Sequence, residues 1–180
     1  MLLPFADRNL ILTGYTGPNQ PIIGQQAAER LKMRYVNVEM QIETREGLSP
    51  EALRVRYGEA RLKTVESEVM QDVLLNRGVV IRVSGQTLLR LDYARRLSAT
   101  GPIACLVVTL DAVLQRLHLS LGRNYHNPDE RALAIGYLKR EWAVRKLDSV
   151  RELDVTYLSE SETVDALIAL WQQMILESNT

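Results

Sequence analysis

Residues 9–24, NLILTGYTGPNQPIIG, constrain this chain more than any other stretch. The apolar run at 9–13 predicts a buried strand. A glycine-punctuated turn follows, and then the start of a helix. This is the layout of a phosphate-binding loop, in which a strand feeds a Gly-rich turn whose backbone N–H groups face an anion at a helix N-terminus. The working pattern is G-x-x-x-x-G-K-[ST]. From Gly14 the chain reads Gly14, Tyr15, Thr16, Gly17, Pro18, Asn19, Gln20, Pro21. The first glycine is present. Asn19 stands at the second glycine, Gln20 at the lysine and Pro21 at the hydroxyl residue. The layout is kept while its charged chemistry is not.

The remaining chain alternates strand and helix patterns. Pro21 opens a helix to about residue 33, since its missing N–H suits a first helical position. Strands are expected at 34–38, 79–83, 102–110 and 153–157. Helical segments are expected at 39–45, from the Ser49-Pro50 cap, and along an amphipathic stretch with Leu62, Val65, Val69, Val73 and Leu74 on one face, ended by Gly78. Further helices are expected at about 87–98, from an Asp111 cap to about 119, at 130–146, and from Ser161 to about 176. The alternation implies a five-stranded parallel α/β sheet with helices on both faces and ligands at the carboxyl ends of the strands.

Composition excludes several classes. Lys plus Arg and Asp plus Glu are 22 each, so no general nucleic-acid footprint exists. No apolar segment is long enough to span a bilayer, and the N-terminus does not pattern as a signal peptide, so a cytoplasmic protein is expected. The single cysteine, Cys105, lies in an apolar run and is expected to be buried. His118 and His126 lack partners at ligand spacing, so no metal site is expected. Trp142 and Trp171 are both expected to pack.

Ordered landmarks carry a family resemblance from about residue 9 to about 171. They are the Gly14-to-Gly24 loop frame, then Asn37-Val38-Glu39, then Ile42-Glu43 and Gly47. Gly58-Glu59-Ala60-Arg61-Leu62-Lys63-Thr64-Val65-Glu66 follows, then Ser84-Gly85-Gln86 with Leu89-Arg90, and Arg145 before the last strand. In this order the chain resembles shikimate kinase, a P-loop kinase that transfers a phosphoryl group from ATP to a hydroxyl of shikimate. The resemblance implies one P-loop domain over residues 1–180, with a lid at about 120–129 in which Arg123 is the candidate cation. It also implies that Glu39 meets the accepting hydroxyl, that Lys63 stands where the family arginine grips the carboxylate, and that Arg145 is a retained arginine. Glu39, Lys63, Gly85 and Arg145 thus form a candidate pocket for a small anionic hydroxylated ligand.

Against that frame, Gln20, Pro21 and the neutral Asn37 depart from the nucleotide and metal apparatus, and Pro18 and Pro21 remove two backbone donors. Arg82 or Lys63 is the compensating cation to consider. The expectation is a chain that keeps the fold and has lost ATP-dependent phosphoryl transfer, a pseudokinase with no confident catalytic residue and no cofactor. A ligand or an unidentified protein partner would then be what it binds. The alternative is an active kinase that uses Mg-ATP to phosphorylate shikimate or a similar small molecule.

Overall fold

The computed structural model describes residues 5–15, 20–122 and 127–180. Five strands form one parallel sheet in the order β2-β3-β1-β4-β5. The central strand β1 (Leu10–Thr13) is wholly buried. It pairs with β3 (Val79–Arg82) on one side and with β4 (Ile103–Val107) on the other. The outer strands are β2 (Arg34–Asn37) and β5 (Val150–Asp154). A strand apolar at every position must be covered on both faces. Leu10 and Leu12 face a core shared with α1 (Gln20–Leu31) and α9 (Glu160–Ser178), where Ile23, Ala27, Leu167 and Trp171 pack. Ile11 faces the opposite core, filled from α4 (Glu59–Val73) by Leu62, Val65, Val69 and Val73.

Local chemistry sets several boundaries. The Ser49 hydroxyl accepts from the Ala52 N–H and caps α3 (Pro50–Tyr57), with proline in its first turn as expected. Gly47 ends α2 (Val38–Glu46) in the left-handed conformation, φ 70°. The amphipathic face of α4 is buried as its pattern demands, but the helix stops at Val73, ahead of Gly78. The segment expected at 87–98 is two helices, α5 (Gly85–Leu88), capped by Ser84 through the Thr87 N–H, and α6 (Tyr93–Ser98), separated where Leu91 turns to a positive φ of 49°. Thr109, not Asp111, caps α7 (Leu110–Leu121). Helix α8 (Pro128–Glu141) ends earlier than expected and tightens into a 3-10 turn, Trp142–Lys146. Strand β5 begins three residues before the expected 153–157. Its polar residues suit an edge, and Val155 is buried just beyond it. The last helix opens on Ser159, whose hydroxyl accepts from Glu162 N–H while the Glu162 carboxylate accepts from Ser159 N–H.

Asn9 ties the start of β1 to three other parts of the chain. It is fully buried. Its amide donates to the Asn76 carbonyl at 2.9 Å and to Thr100 Oγ1 at 3.0 Å, and its Oδ1 accepts from the Val79 N–H at 3.1 Å. The Trp171 indole donates to the Asn9 carbonyl at 3.0 Å. Trp171 therefore packs as expected, whereas Trp142 is 46% exposed. Cys105 is buried, and desolvation pushes its thiol up to about 12. No helix of the described residues is long and apolar enough to cross a membrane.

Candidate active site

The turn after β1 begins at Gly14, with φ +96°. A Cβ there would lie 2.2 Å from the Leu106 carbonyl oxygen on β4, so neither the conformation nor the space admits a side chain. Gln20 and Pro21 form the first turn of α1. Thr16, Gly17, Pro18 and Asn19 lie outside the described residues, as does the candidate lid residue Arg123. At the carboxyl end of β3, Arg82 is buried under this turn. Its guanidinium donates to the Gly14 carbonyl at 3.0 Å and also to the Val83 carbonyl. A cation is thus fixed at the base of the loop. Asn37 is the N-cap of α2: its Oδ1 accepts from the Met40 N–H at 3.2 Å and its amide donates to the Tyr35 hydroxyl at 3.3 Å. The residue standing at an acidic metal-organising position is therefore committed to a cap.

Beside the turn, α2 to α5 and the end of α8 enclose a cavity of about 150 Å³. Glu39 stands on its wall, exposed and without a hydrogen bond or ion pair among the described residues. From α4, Leu62 and Glu66 face in. These positions are four apart and so share a helix face. Lys63, one residue on, is exposed and does not line the cavity. That corrects the expectation that Lys63 serves the pocket: a step of one residue turns about 100° around a helix and points away. Gly85 adjoins the cavity through its backbone N–H, which donates to Glu141 Oε2 at 2.7 Å.

Arg145 is the second correction. Its guanidinium grips Glu152 on β5 in a two-pronged pair, 2.8 and 2.9 Å, and the residue borders a smaller pocket with Gly14, Tyr15 and Glu141 rather than this cavity. The residue that lines the cavity from this part of the chain is Glu141, four positions earlier and only 9% exposed. Burial pushes its carboxyl above the ordinary carboxylate range, opposed by nearby Arg82 and the Gly85 N–H and reinforced by the Glu39 charge. Two arginines that sequence reasoning did not assign to the pocket also line it. Arg54 pairs with Glu51 at 2.5 and 2.8 Å. Arg90 holds Glu59 at 2.5 Å and Glu66 at 3.0 Å. Glu66 also accepts from the Thr87 hydroxyl at 3.0 Å, and burial raises its carboxyl despite these donors. Their sequence signal was the clustering of Glu51, Arg54, Glu59 and Glu66 on adjoining helices.

A parallel sheet in this order, with a glycine turn after its central strand and a polar cavity beside that turn, is the fold of the P-loop kinases. The family model for shikimate kinase matches residues 21–171. The chain belongs to the shikimate kinase family. It is 25% identical over 170 residues to shikimate kinase of Thermodesulfovibrio yellowstonii, covering 93% of this chain and 96% of the relative. It is 26% identical over 161 residues to that of Geobacter metallireducens, covering 89% and 90%. The fold matches shikimate kinase from Bacteroides thetaiotaomicron with a TM-score of 0.72, at 19% identity over 94% of this chain and 99% of the other. It also matches the Acinetobacter baumannii enzyme solved in complex with shikimate, with a TM-score of 0.68, at 19% identity over 95% and 94%.

Proposed function

We propose that this chain carries out the family's reaction type, phosphoryl transfer from Mg-ATP to a hydroxyl of a small polyhydroxylated molecule. The carrying observation is the cavity beside the Gly14 turn, with the Glu39 carboxylate on its wall, unpaired among the described residues. Transfer of this kind rests on positioning and charge neutralisation, and little covalent work falls to the protein. Glu39 would accept the hydrogen bond, and then the proton, of the acceptor hydroxyl. The N-terminus of α1 and the buried Arg82 guanidinium fit a polyphosphate by charge, since both present positive ends at the loop. Mg²⁺ supplies further charge neutralisation at the phosphates when bound. The protein oxygens suited to it are few, because Pro21 has no hydroxyl and Asn37 is neutral and committed to its cap.

These same residues favour a second reading, in which phosphoryl transfer is lost and binding at the cavity remains. Gln20 cannot neutralise a phosphate, and a single such group contributes several kcal/mol in comparable sites, about 10²–10³ in rate. The two readings separate in one experiment. Purified protein is incubated with Mg-ATP and a panel of cyclic polyols, and phosphorylated product is counted by mass spectrometry. Product above the no-enzyme control, rising further in the Gln20→Lys/Pro21→Thr variant, supports the transfer reading. Absence of product in both proteins, with no heat on calorimetric titration of Mg-ATP, overturns it in favour of the second.

A further inference from the structure

Most polar side chains on the cavity wall are engaged within the protein. Glu66 accepts from Arg90 and from the Thr87 hydroxyl, both at 3.0 Å, and Arg54 pairs with Glu51. Ser84 is committed to capping α5, and Glu141 holds the Gly85 N–H. Gln86 differs. It is half-buried on the same wall and has no hydrogen-bond partner among the described residues. Its backbone is anchored on both sides: the Gly85 N–H donates to Glu141 at 2.7 Å and the Thr87 N–H to Ser84 Oγ at 3.2 Å. The carboxamide therefore lines the cavity from a fixed turn. It offers two donors and an acceptor without net charge. A hydroxyl, which both donates and accepts, answers either kind of group. A C–H set against it would leave a partly desolvated amide unpaired.

We infer that Gln86 is a specificity-determining residue of the acceptor site, and that it binds a hydroxyl of the acceptor other than the one that meets Glu39. Both residues stand on the wall of one cavity of about 150 Å³, so a small ring that fills it touches both. The acceptor class selected in this way is a ring bearing at least two hydroxyls, and a ring of the same size without them is rejected. This rests on the cavity being the acceptor site proposed above, but it concerns binding alone and is tested without nucleotide.

The test is a thermal-shift and calorimetric titration of the full chain with two probes. One is shikimate, a cyclohexene acid with ring hydroxyls; the other is cyclohexene-1-carboxylate, the same ring and acid without them. Shikimate is expected to raise the melting temperature by about 5 °C or more at a hundredfold excess over its Kd. Cyclohexene-1-carboxylate is expected to bind at least about tenfold more weakly. Gln86→Met keeps the side chain's length and removes its donors and acceptor. It should weaken shikimate about fivefold or more, while the melting temperature of the ligand-free protein stays within about 2 °C, since no hydrogen bond of the protein is lost. A purely structural role for Gln86 would give the reverse, a lower melting temperature with the affinity unchanged. Stabilisation by neither acid, or by both alike, overturns the proposal. So does a smaller loss of affinity in Gln86→Met, or a larger fall in its ligand-free melting temperature. None of these outcomes depends on phosphoryl transfer, so failure here and failure of the kinase reading are distinguishable.

Discussion

Replacing Gly85 by alanine tests whether the Gly85–Glu141 contact fixes the cavity wall. An added Cβ would lie 2.7 Å from Glu141 Oε2, 3.2 Å from its carboxyl carbon and 3.3 Å from Val144 Cβ. Val144 is fully buried, and Glu141 can yield only by turning its carboxylate away from Gly85 into the cavity it lines. The carboxylate must slide off the Gly85 N–H, losing a hydrogen bond to a charged group worth about 1.5–3 kcal/mol. Alanine in the ordinary helical conformation found here returns about 0.4–1 kcal/mol by restricting the unfolded chain. The net expectation is destabilisation of about 1–2 kcal/mol, which lowers the urea midpoint by about 0.5–1 M for a protein of this size. Urea melts followed by tryptophan fluorescence measure it. A double-mutant cycle with Glu141→Ala sharpens the result. With the obstructing oxygen gone, Gly85→Ala should become neutral or mildly stabilising, a coupling of at least about 1 kcal/mol. Equal cost in both backgrounds refutes the reasoning.

Two further predictions concern stability. Because burial raises the Glu141 carboxyl in the folded state, the stabilisation from its protonated form is complete below the unfolded value of 4.5 and is lost as pH rises through the raised folded value. Gln does not titrate, so Glu141→Gln should gain on the wild type as pH climbs from 4.5 toward neutral; urea melts across that range would contradict this if the difference shrank. Trp171→Phe removes the 3.0 Å indole bond to Asn9 and leaves a void beside Leu167, and should cost about 2–4 kcal/mol, read as a fall of about 5–10 °C in Tm by calorimetry.

The sheet and its two cores were legible because β1, β3 and β4 are nearly uniformly apolar and their crossovers carry explicit caps and glycines. Strand β5 was misplaced because an edge strand with Arg151 and Glu152 on it has little hydrophobic signal, while the buried Val155 beyond it imitates one. The pocket was only half legible. Glu39 and Glu66 line the cavity and Gly85 reaches it through its bond to Glu141, whereas Lys63 and Arg145 do not line it, because landmark order fixes a position along the chain while lining a cavity depends on the angle around a helix. Leu62 and Glu66 take the inward face of α4, and the change from α-helix to 3-10 turn at Trp142 sends Arg145 toward β5 and leaves Glu141 inside.

The Asn9–Trp171 bond joins positions 162 residues apart in sequence. It therefore has a consequence for the order in which the molecule can be completed. The central strand has its full set of partners only after the last helix exists and has docked. During synthesis the Asn9 carbonyl must remain with water until residue 171 has left the ribosome, so the innermost strand is also among the last to be sealed. Folds that depend on such distant pairings form slowly, because the closure entropy precedes the contacts that offset it. A stall late in translation would leave the sheet's centre open on one face, with Leu10 and Leu12 uncovered by α9.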